Sequence, residues 1–297
     1  MADKLIITMS AYNEEKTIAG VIKNIKEVID KEGFNYEILV LNDGSTDNTA
    51  KAAKIAGAVV YNHQTNKGLA KSFNSEIKYC LERKADIIIH TDADGQYIAK
   101  DMLKLIDKYK EGYDFVLGSR FLGTIEYMPW LKRIGNRAFS KVIAHITRTN
   151  VSDGQSGFRL FNKKVAENIR IISNYTYTQE QVLKVLLSGD YKYAEVPVYF
   201  AKRKDKSRLM KNPFHYAAKA SVNLLRVYRD YEPLKFFCSI GIIFLLLGTV
   251  FGSYLIYLHF TTGITGHIPL IIFTALSIIA GLQIILFGFL ADMLRKA

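Results

Sequence analysis

No Lys, Arg, Asp or Glu occurs anywhere in residues 236–291 of this 297-residue chain. The stretch breaks around His259-Phe260-Thr261-Thr262-Gly263-Ile264-Thr265-Gly266-His267, leaving apolar runs at 236–258 and 268–291. As helices, each run reaches about 35 Å, against about 30 Å for a hydrocarbon core. Two transmembrane helices satisfy the pattern. Two buried core helices also fit it, but soluble core helices seldom run this long without a charge. The apolar run in Met1-Ala2-Asp3-Lys4-Leu5-Ile6-Ile7-Thr8 is too short for a signal peptide. Arg226, Arg229 and Lys235 precede the first run, Arg295 and Lys296 follow the second, and the loop between them has neither Lys nor Arg. By the positive-inside rule, both outer ends and the large N-terminal part are expected in the cytoplasm.

Charge is distributed unevenly. The chain has 40 Lys and Arg against 28 Asp and Glu, a net +12. Residues 202–235 hold ten of those bases and three of those acids, which is +7 of the total. Residues 214–228 repeat apolar positions at helical spacing, so the segment reads as an interfacial helix leading into the first span or as a solvated basic helix. The excess abuts the spans and has no recognisable reading module, which disfavours nucleic acid as its partner. The expected division is a domain at 1–212, a juxtamembrane segment at 213–235 and a hairpin at 236–297. Gly248 and Gly252 form a small-xxx-small pair that fits packing within the hairpin or between chains, as a homo-oligomer.

Residues 5–117 alternate. Apolar runs at Leu5–Met9, Glu37–Leu41, Ala58–Tyr61, Asp86–His90 and Asp114–Leu117 are separated by helical patterns. This implies an α/β fold with a mainly parallel sheet covered on both faces. Ligands in such sheets bind beyond the carboxyl ends of the strands, where each run meets a polar cluster. The first run lacks a following GxGxxG, which disfavours a dinucleotide-binding domain. An apolar share of 49% excludes a disordered chain, and two cysteines exclude a disulfide scaffold or a cysteine-rich zinc site.

Asp92-Ala93-Asp94 follows the fourth run. Two carboxylates one residue apart at a buried strand end can converge on a hard cation such as Mg²⁺ or Mn²⁺. Mg²⁺ keeps waters and substrate phosphates in its shell. Gln96 can add an amide oxygen. An Asp-x-Asp also occurs as ordinary turn chemistry. Asn42-Asp43-Gly44-Ser45 offers a carboxylate and a tight turn for a base or ribose, or turn and capping chemistry for the next helix.

In order, the chain carries Ser10-Ala11-Tyr12-Asn13-Glu14-Glu15, Asn42-Asp43-Gly44-Ser45, Asn66-Lys67-Gly68, Asp92-Ala93-Asp94-Gly95-Gln96, Gly118-Ser119-Arg120, Ser156-Gly157-Phe158-Arg159 and Glu195-Val196-Pro197-Val198. Over residues 4–210 this set resembles the family 2 glycosyltransferases. It is most similar to the dolichyl- and polyprenyl-phosphate sugar synthases, such as dolichol-phosphate mannose synthase. The two-span hairpin resembles the bacterial-type polyprenyl-phosphate glucosyltransferase branch.

The resemblance implies a GT-A fold and inverting transfer from a GDP- or UDP-linked sugar to a polyprenyl or dolichyl phosphate. It implies Ala11, Tyr12, Glu14, Asp43, Asp92 and Ala93 at the nucleotide sugar, and Asp92, Asp94 and Gln96 on Mg²⁺ or Mn²⁺. Arg120, Arg133, Arg203 and Ser207 are implied at the acceptor phosphate, and Asp153 and Glu180 join Asp92 and Asp94 as catalytic acids. Three places depart from the family pattern. Asn42 stands where a second acid is usual, the 203–208 loop lacks its glycine, and Glu180 is one place from the family's acid. Glu180 also reads as a helix N-terminal acid.

A phosphate acceptor is already anionic and needs little help from a base, whereas a lipid or sugar hydroxyl needs one. An enzyme acting on such a hydroxyl is the second reading. A non-catalytic nucleotide-sugar binder at the membrane is the third.

Overall fold

The computed structural model describes residues 3–172, 177–203, 222, 225–263 and 267–296. Ser207 and most of the expected interfacial helix lie outside them. The chain divides into two compact units between Ala217 and Ala218.

The first unit is built on seven strands. They are β1 (Leu5–Ala11), β2 (Tyr36–Asn42), β3 (Val59–Asn62), β4 (Ile87–His90), β5 (Phe115–Ile125), β6 (Arg159–Asn162) and β7 (Tyr193–Phe200). Their spatial order is β3-β2-β1-β4-β6-β5-β7. β1, β2, β3 and β4 run parallel, as their unbroken apolar runs require. The sheet is mainly parallel, as expected, but β6, a strand with no apolar run to announce it, lies between β4 and β5 and is antiparallel to both. β7 takes the far edge beside β5, where Pro197 costs no central ladder bond.

The helices are α1 (Ile18–Ile29), α2 (Thr49–Ile55), α3 (Leu69–Glu82), α4 (Met102–Lys110), α5 (Trp130–Thr147), α6 (Lys163–Asn168) and α7 (Tyr177–Ser188). Ile18, Ile22, Ile25 and Ile29 make one buried stripe on α1. With residues of α2 and α4 they cover the sheet face that carries Leu5, Ile7 and Met9. α3, α6 and α7 pack together, with α3 against β1 and β2. The polar turns fall at the carboxyl ends of β1, β2 and β4. In the turn after β2, Gly44 has φ +69°, and an added Cβ would lie 2.5 Å from the Thr65 backbone, so no side chain fits.

β5 is longer than its apolar core. Arg120 lies within the strand, and pairing with β7 resumes at Thr124 after a register shift that begins at Ser119. Such an irregularity re-aims the side chains it contains, and Arg120 is among them.

The second unit is a hairpin of two helices, Pro233–Thr262 and Ile268–Lys296. Both extend beyond the runs 236–258 and 268–291. Of the most apolar stretch of each helix, only 11% and 17% is buried, which is the reverse of a soluble core helix. An exposed apolar surface of this extent is consistent with a membrane protein. Small residues seven apart join the helices. A Cβ on Gly281 would lie 2.8 Å from the Gly241 carbonyl oxygen, and one on Gly241 would lie 2.7 Å from that of Gly281. Gly248 abuts Ile278 and Thr274, so the expected Gly248 contact is made inside the hairpin; Gly252 touches only Thr274, at 3.4 Å. The hydroxyls of Thr249, Thr274 and Ser277 bond back to the carbonyls of Leu245, Leu270 and Phe273, which satisfies them without water.

This packing sets an order of tolerance. Gly281→Ala is expected to cost about 1–3 kcal/mol through overpacking, and Gly252→Ala close to nothing. Unfolding of the detergent-solubilised protein measures both; equal stability of the two variants contradicts the close helix contact.

Candidate active site

The loops after β1 and β2 are tied together. Asn13 N–H donates to Ser45 Oγ at 2.9 Å, Glu14 N–H to Thr49 Oγ1 at 2.8 Å, and Thr46 N–H to Asn13 Oδ1 at 2.8 Å. Ala11, the last residue of β1, is buried and accepts from Asp43 N–H at 2.9 Å, while Tyr12 is 40% exposed. The Asp43 carboxylate is buried beneath this knot. It pairs with His63 Nδ1 at 2.7 Å and accepts from the N–H groups of Lys67 and Gly68, each at 2.9 Å. Burial works against its charge, but His63 and the two N–H donors outweigh it and hold the carboxyl below its ordinary value. Asp43 therefore closes the loop over Asn66-Lys67-Gly68 from within.

The turn after β4 carries Asp92, Ala93 and Asp94. Ala93 is buried in the core. Asp94 Oδ1 accepts from Gln96 N–H at 3.0 Å. Burial, and then the like charge of Asp92, push Asp94 up to about 6. Arg203 bridges two carboxylates, with Nη2 2.7 Å from Glu14 and Nη1 3.4 Å from Asp94. Gln96 Nε2 donates to the Ala201 carbonyl at 3.0 Å, which turns the amide so that its oxygen is the atom left for a cation. Gly157 lies directly on Asp92: a Cβ there would be 2.8 and 2.9 Å from the two carboxylate oxygens.

Arg120 and Asp153 form a buried bidentate pair. Asp153 Oδ2 accepts from Arg120 Nε at 2.7 Å and from its backbone N–H at 3.0 Å, and Oδ1 accepts from Nη2 at 2.8 Å. Burial opposes the guanidinium charge, but Asp153 more than offsets it and raises Arg120 above the ordinary arginine value. Beneath the pair, Glu195 accepts from Ser152 N–H and Oγ and from Tyr193 OH. Arg120 is thus committed to a protein carboxylate, and Asp153 to a protein cation.

The remaining expected residues lie elsewhere. Glu180 is near the start of α7, where it accepts from Ile172 N–H at 2.8 Å and pairs with Lys184 at 2.7 Å. Arg133 is exposed on the outward face of α5. The stripe Asn136, Phe139, Ser140, Ile143 and Ile146 is the buried side of that helix. Its period carries back four residues to Lys132, whereas Arg133 is about 100° away around the axis. Lys132 is the residue that sequence reasoning passed over. Lys132 is half-buried; burial and then Arg120 push its ammonium below the ordinary lysine value, and Asp92 and Asp94 pull it back.

Glycosyl transferase family 2 matches residues 6–170, and the chain belongs to that family. It is a glycosyltransferase. Among its relatives, Glycosyltransferase AglJ of Haloferax volcanii is 29% identical over 98% of this chain and 94% of its own length. The UDP-N-acetylglucosamine--dolichyl-phosphate N-acetylglucosaminyltransferase of Methanococcus voltae is 31% identical over 67% of this chain and 86% of its own. The fold is shared with glucosyl-3-phosphoglycerate synthase of Mycobacterium tuberculosis in complex with Mn²⁺, UDP and phosphoglyceric acid. That structure is 17% identical, with a TM-score of 0.58 over 75% of this chain and 78% of that one.

The pairing of Arg120 with Asp153 has a measurable consequence. Asp153→Asn leaves a buried guanidinium without its counter-charge, which is expected to cost about 3–5 kcal/mol in unfolding free energy. The double variant Arg120→Met with Asp153→Asn is expected to recover most of it. An Asp153→Asn protein of full stability that has lost transfer would instead make the carboxylate a chemical participant.

Proposed function

We propose that this glycosyltransferase moves a hexose from a GDP- or UDP-linked donor to the phosphate of a membrane polyprenol or dolichol, with inversion, on the cytoplasmic side. The observation that carries the reading is the company of Asp92 and Asp94. They stand at the end of β4 with Arg203, Lys132 and Arg120 around them. Two anions, a donor diphosphate and an acceptor phosphate, need this alternation of acids and bases. The Methanococcus voltae relative is named for a dolichyl-phosphate acceptor and a UDP-linked donor. The two apolar helices would keep the enzyme where such an acceptor resides, and the Lys and Arg outside the spans support the cytoplasmic orientation.

Asp92, Asp94 and the Gln96 amide are a hard oxygen set that fits Mg²⁺ or Mn²⁺. Among the described residues no group of three or more His, Cys, Asp or Glu gathers to hold a metal, so diphosphate oxygens or water would complete the shell. When bound, the ion supplies Lewis-acid stabilisation of the departing diphosphate. The fold relative holds Mn²⁺ together with UDP.

The protein's own residues do the rest. Glu14 and Asp94 hold Arg203 at the charged end of the site, and the loop closed by Asp43 leaves Ala11 and Tyr12 beside the nucleoside end. Lys132 takes the part expected of Arg133 and meets the acceptor phosphate, with Ser207 and the 204–208 loop outside the described residues. The acceptor oxygen is already anionic at neutral pH and attacks without a general base. This agrees with Asp153 paired to Arg120 and Glu180 paired to Lys184.

In purified full-length protein given polyprenyl phosphate and labelled UDP- and GDP-sugars, EDTA is expected to abolish transfer and Mn²⁺ or Mg²⁺ to restore it. Lys132→Ala removes a charge-assisted contact of about 1.5–3 kcal/mol, or about ten- to a hundredfold in transfer. Donor affinity by titration calorimetry is expected to hold, and Arg133→Ala to stay close to wild type. Full transfer without metal, or normal transfer by Lys132→Ala, contradicts the assignment.

A further inference from the structure

Arg159 is the first residue of β6 and is 0% exposed. Its Nη1 donates to the Thr178 carbonyl at 3.4 Å; among the described residues, Nε and Nη2 have no hydrogen-bond partner. The guanidinium lies against two rings that also touch each other, 5.3 Å from Phe73 and 5.2 Å from Tyr177, whose centroids are 4.9 Å apart. A buried cation with two unpartnered nitrogens is costly to a fold. An apolar side chain such as Met or Leu would fill the same space at lower cost.

The carboxylates nearby differ in how fully they are used. Glu76, also fully buried, accepts from Thr8 Oγ1 at 3.1 Å, from Ser10 Oγ, and from His90 Nδ1 at 2.9 Å. It is saturated by donors on β1 and β4. Asp92 accepts no hydrogen bond among the described residues. It rests on the backbone of Gly157, two residues before Arg159 in the same chain segment. His90, two residues before Asp92, is directly opposite Arg159 in the β4–β6 register. The turn bearing Asp92 and the strand bearing Arg159 are therefore fixed to each other by the sheet. Burial pushes the guanidinium below its ordinary value, while Tyr177, and then Asp92, act in the opposite direction.

We propose that Arg159 is a positioning residue of the transfer site: a cation sealed in the core beneath Asp92, offsetting that carboxylate's charge so that it stays beside Asp94 against the Gly157 backbone. Arg159 touches neither donor nor acceptor. It works as a fixed charge in a dry surrounding, where a field is worth more than in water. The inference rests on the metal and donor assignment above.

Two substitutions in the full-length protein test it, with Mn²⁺ alone as the probe. Arg159→Met fills the same volume without charge. Its unfolding midpoint is expected to equal or exceed that of the wild type, because an unpaired buried charge has been removed. Its transfer rate is expected to fall about tenfold or more. Its affinity for Mn²⁺ by titration calorimetry is expected to fall at least about threefold, since Asp92 loses the charge that keeps it beside Asp94. A purely architectural arginine gives a lower midpoint, with Mn²⁺ binding lost only as the fold is lost. Arg159→Lys retains the charge and is expected to restore both Mn²⁺ affinity and transfer towards wild type. Unchanged transfer or unchanged Mn²⁺ affinity in Arg159→Met, a lowered midpoint, or an Arg159→Lys variant as impaired as Arg159→Met overturns the proposal. Failure of the wild-type protein to bind Mn²⁺ at all removes the metal assignment instead.

Discussion

Two carboxylates separated by a single residue repel each other, and burial makes that repulsion worse. Asp92 and Asp94 stand under this constraint at the end of β4, and its mark is the rise of Asp94 to about 6. Much of the first unit can be understood as the answer to it. Arg203 comes from beyond β7 to bridge Asp94 and Glu14. Lys132 is brought in by the buried stripe of α5. The Gln96 N–H caps Asp94, and Gly157 supplies a surface without a side chain for Asp92 to rest on. The cations that relieve the acids, Arg203 and Lys132, are also suited to binding an anion, which is the basis of the proposed phosphate sites.

Topology decides which residues can take part. β6 is inserted antiparallel between β4 and β5, so its first residue, Arg159, enters the sheet beside the last residue of β4, His90. The bulge in β5 then frees Arg120 from the strand pattern and lets its guanidinium fork onto Asp153, 33 residues away. Such a pair fixes the 152–157 segment, which carries Gly157 to Asp92. The ion pair is costly to form and more costly to break, a property suited to a segment whose position matters more than its stability.

Much of this was legible in the residues alone. The strands of the parallel half could be read because a strand buried on both faces is a run of apolar residues, as in Leu5–Ala11. The membrane helices were legible from the missing charges. β6 was not read as a strand, because Arg159-Leu160-Phe161-Asn162 contains a buried arginine that no apolar pattern reports. Lys132 and Arg133 look alike as letters; only the register of Asn136, Phe139 and Ser140 separates the half-buried side chain from the exposed one. The union of Arg120 with Asp153 is a contact between distant segments, which spacing along the chain does not encode. The knot around Asp43 and His63 has the same origin, since Lys67 and Gly68 reach back to β2 from beyond β3.

The central claim is that the acceptor is a phosphate, whose charge the site is built to receive and whose oxygen needs no base. Offering the purified enzyme a polyprenyl phosphate and the matching free polyprenol, with the same labelled nucleotide sugars, tests it most directly. The account requires labelled lipid from the phosphate and none from the alcohol, because Asp153 is held in its ion pair and cannot take a hydroxyl proton. Equal labelling of the free alcohol would contradict it.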